Sequence, residues 1–246
     1  MEERDLAILQ HIGLYTLSVP RVIRDIFFDG SGERYSPVMQ RLRDRGLVKS
    51  FKVLANNQSY HRLTARGGAA IGFRVTDDRE RKDRQWLLTR LGILWFCTMN
   101  KRKRVYFPAN DALAPLFDGF VPKGIHCIEM EETQRTFRIY VPMPDTRMRN
   151  LFKELQEQVD DAVQNSHVAE MVENHQYGFA VVVTTETRKT AIESFIKGHI
   201  HRRRRRPPLA SRAYFRVECM PDFEKAAPRA PAKEAGEPQL LGDSDG

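Results

Sequence analysis

Three short apolar-periodic stretches stand within the first 46 residues, each bounded by a capping or turn signal, and two strand-like segments follow at once. That order of elements restricts the fold more than any other feature of the chain. Residues 4–14 place Leu6, Leu9, Ile12 and Gly13 on one face, widened by Ile8, which suits a short helix with a buried side. Ser18, Val19 and Pro20 read as a capping serine with a proline in the first turn, where the missing N–H costs nothing. A second helix runs through Val22, Ile23, Ile26 and Phe27, and Asp29-Gly30-Ser31-Gly32 is a turn. A third covers residues 33–45 and stops at Gly46, with Pro37 predicting a kink or a start near Ser36. Residues 47–54 then read as a strand, Asn56-Asn57 as a tight turn and residues 59–63 as the returning strand. Thr64 caps a further short helix that ends near Gly72.

Three helices followed by a two-stranded ribbon is the layout of a winged helix-turn-helix, in which the third helix enters the major groove and the ribbon tip touches backbone or minor groove. In the third helix Tyr35, Val38, Met39 and Leu42 recur at the spacing of one helix face and point to the core. At about 100° per residue, Arg34, Arg41 and Arg45 fall in a sector of roughly 40° beside that stripe. Guanidinium groups there suit phosphate or a bidentate guanine contact. On the ribbon the matching candidates are Lys52, Asn56 and Asn57. The same arginines equally suit a solvated face on a domain that contacts protein.

The charge distribution favours a polyanion as partner. The net charge is +8, but residues 1–110 hold 21 Lys and Arg against 11 Asp and Glu, a surplus of ten. Residues 111–198 hold 9 against 14, and residues 199–246 hold 10 against 7. A basic first half joined to an acidic middle is expected where one part meets nucleic acid and the other meets a protein or a second copy. The longest apolar runs, residues 91–97 and 179–183, fall far short of the roughly 20 residues that span a bilayer. Met1-Glu2-Glu3-Arg4-Asp5 lacks the features of a secretory signal. Cys97, Cys127 and Cys219 are scattered, with no C-x-x-C. These features point to a cytoplasmic protein with no membrane role, no disulfide framework and no zinc ribbon. G-x-G-x-x-G, Walker A and H-E-x-x-H motifs are all absent, so no cofactor is expected.

Four segments carry a family resemblance: Arg4-Asp5-Leu6-Ala7-Ile8-Leu9, Phe27-Phe28-Asp29-Gly30, Arg41-Leu42-Arg43-Asp44-Arg45-Gly46-Leu47-Val48 and Tyr60-His61-Arg62-Leu63-Thr64-Ala65-Arg66-Gly67. Over about residues 3–75 the chain resembles the replication-relaxation family, winged-helix proteins of bacterial plasmids and mobile elements linked to replication and mobilisation. Parts of these motifs also occur in other winged-helix families, transcriptional repressors among them.

After a charge-dense joint at residues 77–84, residues 85–99 hold Trp86, Leu87, Leu91, Leu94 and Trp95, a helix expected to dock the two halves together. Lys101, Arg102, Lys103 and Arg104 follow, either as a phosphate site or as a cationic cap on the helix dipole. Strands are expected at residues 105–107, 125–130, 136–141, 179–184 and 213–218, and helices at 146–164, 167–174 and 186–197. This order resembles the restriction-endonuclease-like (PD-D/E-x-K) fold. Active members hold Mg²⁺ with an Asp opening the second strand and an acid-x-Lys on the third. Here the first position is Pro122-Lys123 and the third strand, Phe137-Arg138-Ile139-Tyr140-Val141, has no acid-x-Lys, so the resemblance implies a lost metal site and no cleavage. Asp118, Glu129 and Glu131 leave a rearranged metal site as the rival reading. His199 and His201 would lie on one side of an extended segment, with no third ligand in sequence. Cys127, in an apolar strand, reads as core rather than nucleophile. Arg202, Arg203, Arg204, Arg205 and Arg206, ending at Pro207-Pro208, suit DNA backbone, an acidic partner surface or a solvated linker. From Ala226 the composition is that of a disordered tail.

The sequence therefore predicts an α+β chain in four parts. Residues 1–76 form a winged helix-turn-helix, 77–103 a connecting helix and basic cluster, 104–225 a degenerate nuclease-like α/β domain, and 226–246 a tail. The expected function is non-catalytic recognition of double-stranded DNA in plasmid or mobile-element replication or mobilisation, with recruitment of partner proteins. A winged-helix repressor, a divergent Mg²⁺-dependent nuclease and an adaptor without a DNA role are its rivals.

Overall fold

Helix α1 (Glu3–Tyr15), helix α2 (Pro20–Phe27) and helix α3 (Tyr35–Asp44) precede an antiparallel pair, β1 (Val48–Phe51) and β2 (Tyr60–Leu63), and a short helix α4 (Ala65–Ala69). The computed structural model describes residues 1–28, 34–52, 59–75, 83–99, 103–108, 110–131, 133–202 and 213–220. Ile8, Leu9, Ile12, Ile23, Val38, Met39, Leu42, Val48 and Leu63 share one core, as the three helical periodicities and the strand alternation require.

One local expectation needs correction. Val19, not Ser18, is the N-cap of α2, and no side chain caps it. Ser18 instead pairs its backbone with His61 of β2 and shares a 2.9 Å hydrogen bond with Nε2 of His11. The start expected near Ser36 holds to within a residue, since α3 begins at Tyr35 with Pro37 in its first turn. Pro37 is the third residue of the helix, where the backbone N–H has no intrahelical acceptor to lose. The stop at Gly46 stands as expected: its φ is +65°, and Leu47 N–H donates to the Leu42 carbonyl while Gly46 N–H donates to Arg43. Thr64 caps α4 through Gly67 N–H, and a Cβ on Gly67 would lie 2.0 Å from the Leu47 carbonyl oxygen, so only glycine fits.

Helix α5 (Arg84–Thr98) is capped by Asp83, whose side chain accepts from Trp86 N–H at 2.6 Å. Nine of its fifteen residues are buried, because it is covered from two sides. Leu87, Leu91, Leu94 and Phe96 share a core with Tyr15, Leu17, Phe51 and Tyr60 on one side and with Tyr106, Phe137, Ile139 and Val182 on the other. The ribbon is therefore sandwiched: β1 and β2 turn Val48, Ser50, His61 and Leu63 to the helices and Phe51, Tyr60 and Arg62 to α5.

The remainder is β3 (Arg104–Phe107), a 3₁₀ helix (Asn110–Phe117) that sequence reasoning missed, β4 (Ile125–Met130) and β5 (Gln134–Tyr140). Helices α6 (Met148–Ala162) and α7 (Ser166–Glu173) lead to β6 (Tyr177–Val183), and α8 (Glu186–Arg202) leads to β7 (Tyr214–Cys219). The five strands lie in sequence order, antiparallel from β3 to β5 and parallel from β5 to β7. Tyr177–Val183 is buried at every position, as expected of a central strand covered on both faces. One face meets α5, and the other meets α6, α7 and α8. The chain is thus mixed α+β, and among the described residues no helix is long and apolar enough to cross a membrane. The predicted tail lies outside the described residues.

Candidate nucleic-acid interface

Helix α3 buries Val38, Met39 and Leu42 and exposes Arg34, Ser36, Pro37, Gln40, Asp44 and Arg45. The sector shared by Arg34, Arg41 and Arg45 borders α1. Arg41 donates from Nη2 to Glu2 Oε2 and to Asp5 Oδ1, both at 2.7 Å, and Arg45 lies 3.9 Å from the other Asp5 oxygen. Asp5 is completely buried. Its hydrogen bond, then its charge and those of Glu2, hold the Arg41 guanidinium above its usual pKa. Arg41 is thus a strut between α3 and α1 rather than a side chain held out to a groove. Changing Arg41 to Ala is expected to lower the urea midpoint, since it strips a buried carboxylate of a donor. Duplex-DNA affinity should change less than twofold, a contrast that urea denaturation and anisotropy together measure.

The ridge opposite the core carries Ser36, Gln40 and Asp44, with Arg43 beside it. Arg43 Nη2 donates to Gln40 Oε1 at 2.7 Å, and Gln40 Nε2 donates to Asp44 Oδ1 at 2.6 Å. Sequence reasoning overlooked Gln40 and Arg43, although the rotation of about 100° per residue that grouped the arginines also places position 40 across from the core stripe. A glutamine amide and a guanidinium are the groups that read adenine and guanine edges.

One buried ring joins this helix to the ribbon. His61 of β2 shares Nε2 with Tyr35 Oη at 2.7 Å and Nδ1 with Ser50 Oγ at 2.8 Å. Burial, reinforced by the Arg43 charge, pushes the His61 pKa down to about 4, so the ring is neutral at pH 7. Burial likewise moves Tyr35 up to about 12, and Arg24 sits 5.3 Å over its ring. These contacts bring the N-terminal end of α3, with exposed Arg34, against the end of the ribbon that carries exposed Lys52. Asn56 and Asn57 lie outside the described residues.

The basic cluster before β3 divides. Lys101 and Arg102 lie outside the described residues, and Lys103 is exposed. Arg104 is not a phosphate contact: its side chain is wholly buried. Its guanidinium donates to Glu129 at 2.9 Å, to Glu218 at 2.7 Å and to the Phe96 carbonyl at 2.5 Å, and lies 3.7 Å over the Phe96 ring. Arg216 donates to the same Glu129 and lies 4.8 Å over Phe137, reaching from β7 across β6 and β5. Burial opposes the charge on Arg104, but hydrogen bonds to Glu218 and Glu129 outweigh it and raise the pKa. Glu129 shows the converse: burial raises it, yet the two guanidiniums bring it below the usual range.

Glu129 is therefore tied to two arginines. Glu131 lies just past the end of β4, Asp118 sits in a left-handed turn and Lys123 is exposed. Among the described residues no three His, Cys, Asp or Glu side chains stand together as a metal site. The backbone of His199, Ile200 and His201 is helical, not extended as the sequence suggested. Arg202 ends α8, and Arg203, Arg204, Arg205 and Arg206 lie outside the described residues. All three cysteines are buried. Burial, and next the contact with Cys97, push the Cys127 thiol up, as befits core rather than nucleophile. Comparison with known proteins finds no matching family model, no similar curated protein and no similar solved structure.

Proposed function

We propose that the chain is a non-catalytic DNA-binding protein whose first 75 residues act as a winged helix-turn-helix on duplex DNA. Gln40 and Arg43 on the ridge of α3 reach base edges in the major groove. Arg34, Lys52 and the ribbon tip take phosphates, and the resemblance to replication-relaxation proteins suggests plasmid or mobile-element replication or mobilisation as the setting. The observation that carries the reading is the His61 tie, because it fixes the N-terminal end of α3, with exposed Arg34, against the end of the ribbon that carries exposed Lys52. The second half, with its nuclease-like order of elements, serves as a platform for a protein partner. Its most buried carboxylate, Glu129, is held by Arg104 and Arg216, which supports a role without cleavage.

Anisotropy of full-length protein on labelled duplex DNA tests this across a salt series, with and without Mg²⁺. Affinity should fall with salt by about 0.9 log units per log unit for each neutralised phosphate. Gln40→Ala and Arg43→Ala should each weaken binding to the preferred site roughly tenfold, by about 1–3 kcal/mol. Absence of binding at low salt overturns the DNA reading, and Mg²⁺-dependent nicking overturns the non-catalytic one.

A further inference from the structure

A cavity of about 220 Å³ opens between the C-terminal half of α1, strand β2, residues 73–75 and the first half of α5. Two kinds of side chain line it. Leu63, Phe73 and Trp86 supply apolar and aromatic surface, and Arg62, Arg74 and Arg90 supply three guanidinium groups. Arg62 is 6% exposed and lies flat between rings, 5.7 Å over Phe51 and 5.4 Å over Trp86. Arg90 is oriented by its 3.1 Å hydrogen bond to Tyr106 Oη. Among the described residues no carboxylate lines the space.

Volume and charge together narrow the occupant. An apolar cavity of about 150 Å³ holds benzene, so this one has room for a single ring with a short substituent and none for a nucleotide. The guanidinium groups of Arg74 and Arg90 select an anion, and their planar forks match a carboxylate. The indole of Trp86 offers a flat face to a ring. We propose that this cavity binds a small aromatic carboxylic acid, its ring against Trp86 and its carboxylate toward Arg74 and Arg90. The site lies where the ribbon and α1 meet α5, and it stands whether or not the chain binds DNA.

Calorimetric titration of the full chain with benzoate at fixed ionic strength tests it, with benzyl alcohol as the uncharged analogue and inorganic phosphate as the anion without a ring. Tryptophan fluorescence gives a second readout through Trp86. Benzoate should bind at least about tenfold more tightly than either control, the factor expected for a charge-assisted hydrogen bond. Arg74→Gln and Arg90→Gln should each lose a similar factor. Because Arg90 also holds Tyr106, the exposed Arg74 serves as the variant least able to perturb folding, and both are compared at equal thermal stability. No binding to the unaltered chain, equal affinity for benzyl alcohol, or unchanged affinity in Arg74→Gln and Arg90→Gln overturns the proposal. Binding that emerges only after Asp77 and Asp78 are changed to Asn also overturns it, by assigning the space to the chain's own carboxylates.

Discussion

Replacing Arg104 by Met is expected to lower stability by about 3–5 kcal/mol, the usual cost of removing one partner from a buried ion pair. Three acceptors each lose a donor at once: Glu129, which is 2% exposed and still held by Arg216, Glu218, and the Phe96 carbonyl near the end of α5. For a chain of this length each kcal/mol moves the thermal midpoint by about 2–4 °C, so a fall of roughly 6–20 °C should be seen. Replacing Glu129 together with Arg104 by apolar residues of similar size should restore part of the loss. The residual charges, Arg216 and Glu218, keep side-chain exposures of 12% and 15% and can reach water. If Arg104→Met instead leaves stability unchanged and weakens DNA binding, the residue belongs to a phosphate site and the network assigned to it is wrong.

Arg104 also shows where sequence reasoning stops. Four consecutive basic residues read as one patch, yet strand geometry separates them. Once β3 begins at Arg104, its side chain is turned onto the face that carries Tyr106, Cys127 and Glu129, and the acceptors that neutralise it are 25 and 114 residues away in the chain. No local pattern records such a pairing. The Arg41 strut is hidden for the same reason, since helical rotation gives the direction of a side chain but not the neighbouring helix that supplies Glu2 and Asp5.

Features set by short-range rules were legible. The stop at Gly46, the cap at Thr64, the return of the ribbon and the apolar run at β6 all follow from single-residue backbone preferences or from a period of two. The 3₁₀ helix at Asn110–Phe117 has no such signature: its proline resembles a loop, while Leu113 and Phe117 are buried in one core with Ile128 and Tyr177. Helix α5 illustrates a partial success. Its apolar residues announced a docking role, but its burial on two sides covers the outer face of the ribbon, so the ribbon joins the sheet domain through Phe51 and Tyr60.

Acidification should unfold the protein over a window set by three buried histidines. His11, His61 and His126 are each pushed down to about 4, chiefly by burial, with Arg43 adding to the effect on His61 and Arg138 on His126. His11 faces Ser18 and the rings of Tyr15 and Phe27, His61 faces Tyr35 and Ser50, and His126 faces Tyr177. None of these contacts supplies an acid to hold a charged ring. A histidine whose folded value is depressed takes up its proton more readily when unfolded. The stability of the neutral ring is therefore complete above about pH 6.5 and drains away as the pH falls toward 4. At pH 5 each ring forfeits about 2 kcal/mol, and three together on the order of 6 kcal/mol, comparable with the whole stability of a small domain. Glu129 acts in the same direction but in a lower window, its stabilisation being present above its ordinary value of 4.5 and lost below it, so the change between pH 6.5 and 5 belongs to the histidines. Urea midpoints measured from pH 7.5 to 4.5 should fall steeply below 6.5, while the ring-proton resonances of these three residues stay at their neutral positions down to about pH 5. Ring titrations centred near 6.5, or urea midpoints that hold level to pH 5, would show that the rings take up protons in the folded state and that the ties from His61 to Tyr35 and Ser50 do not depend on a neutral imidazole.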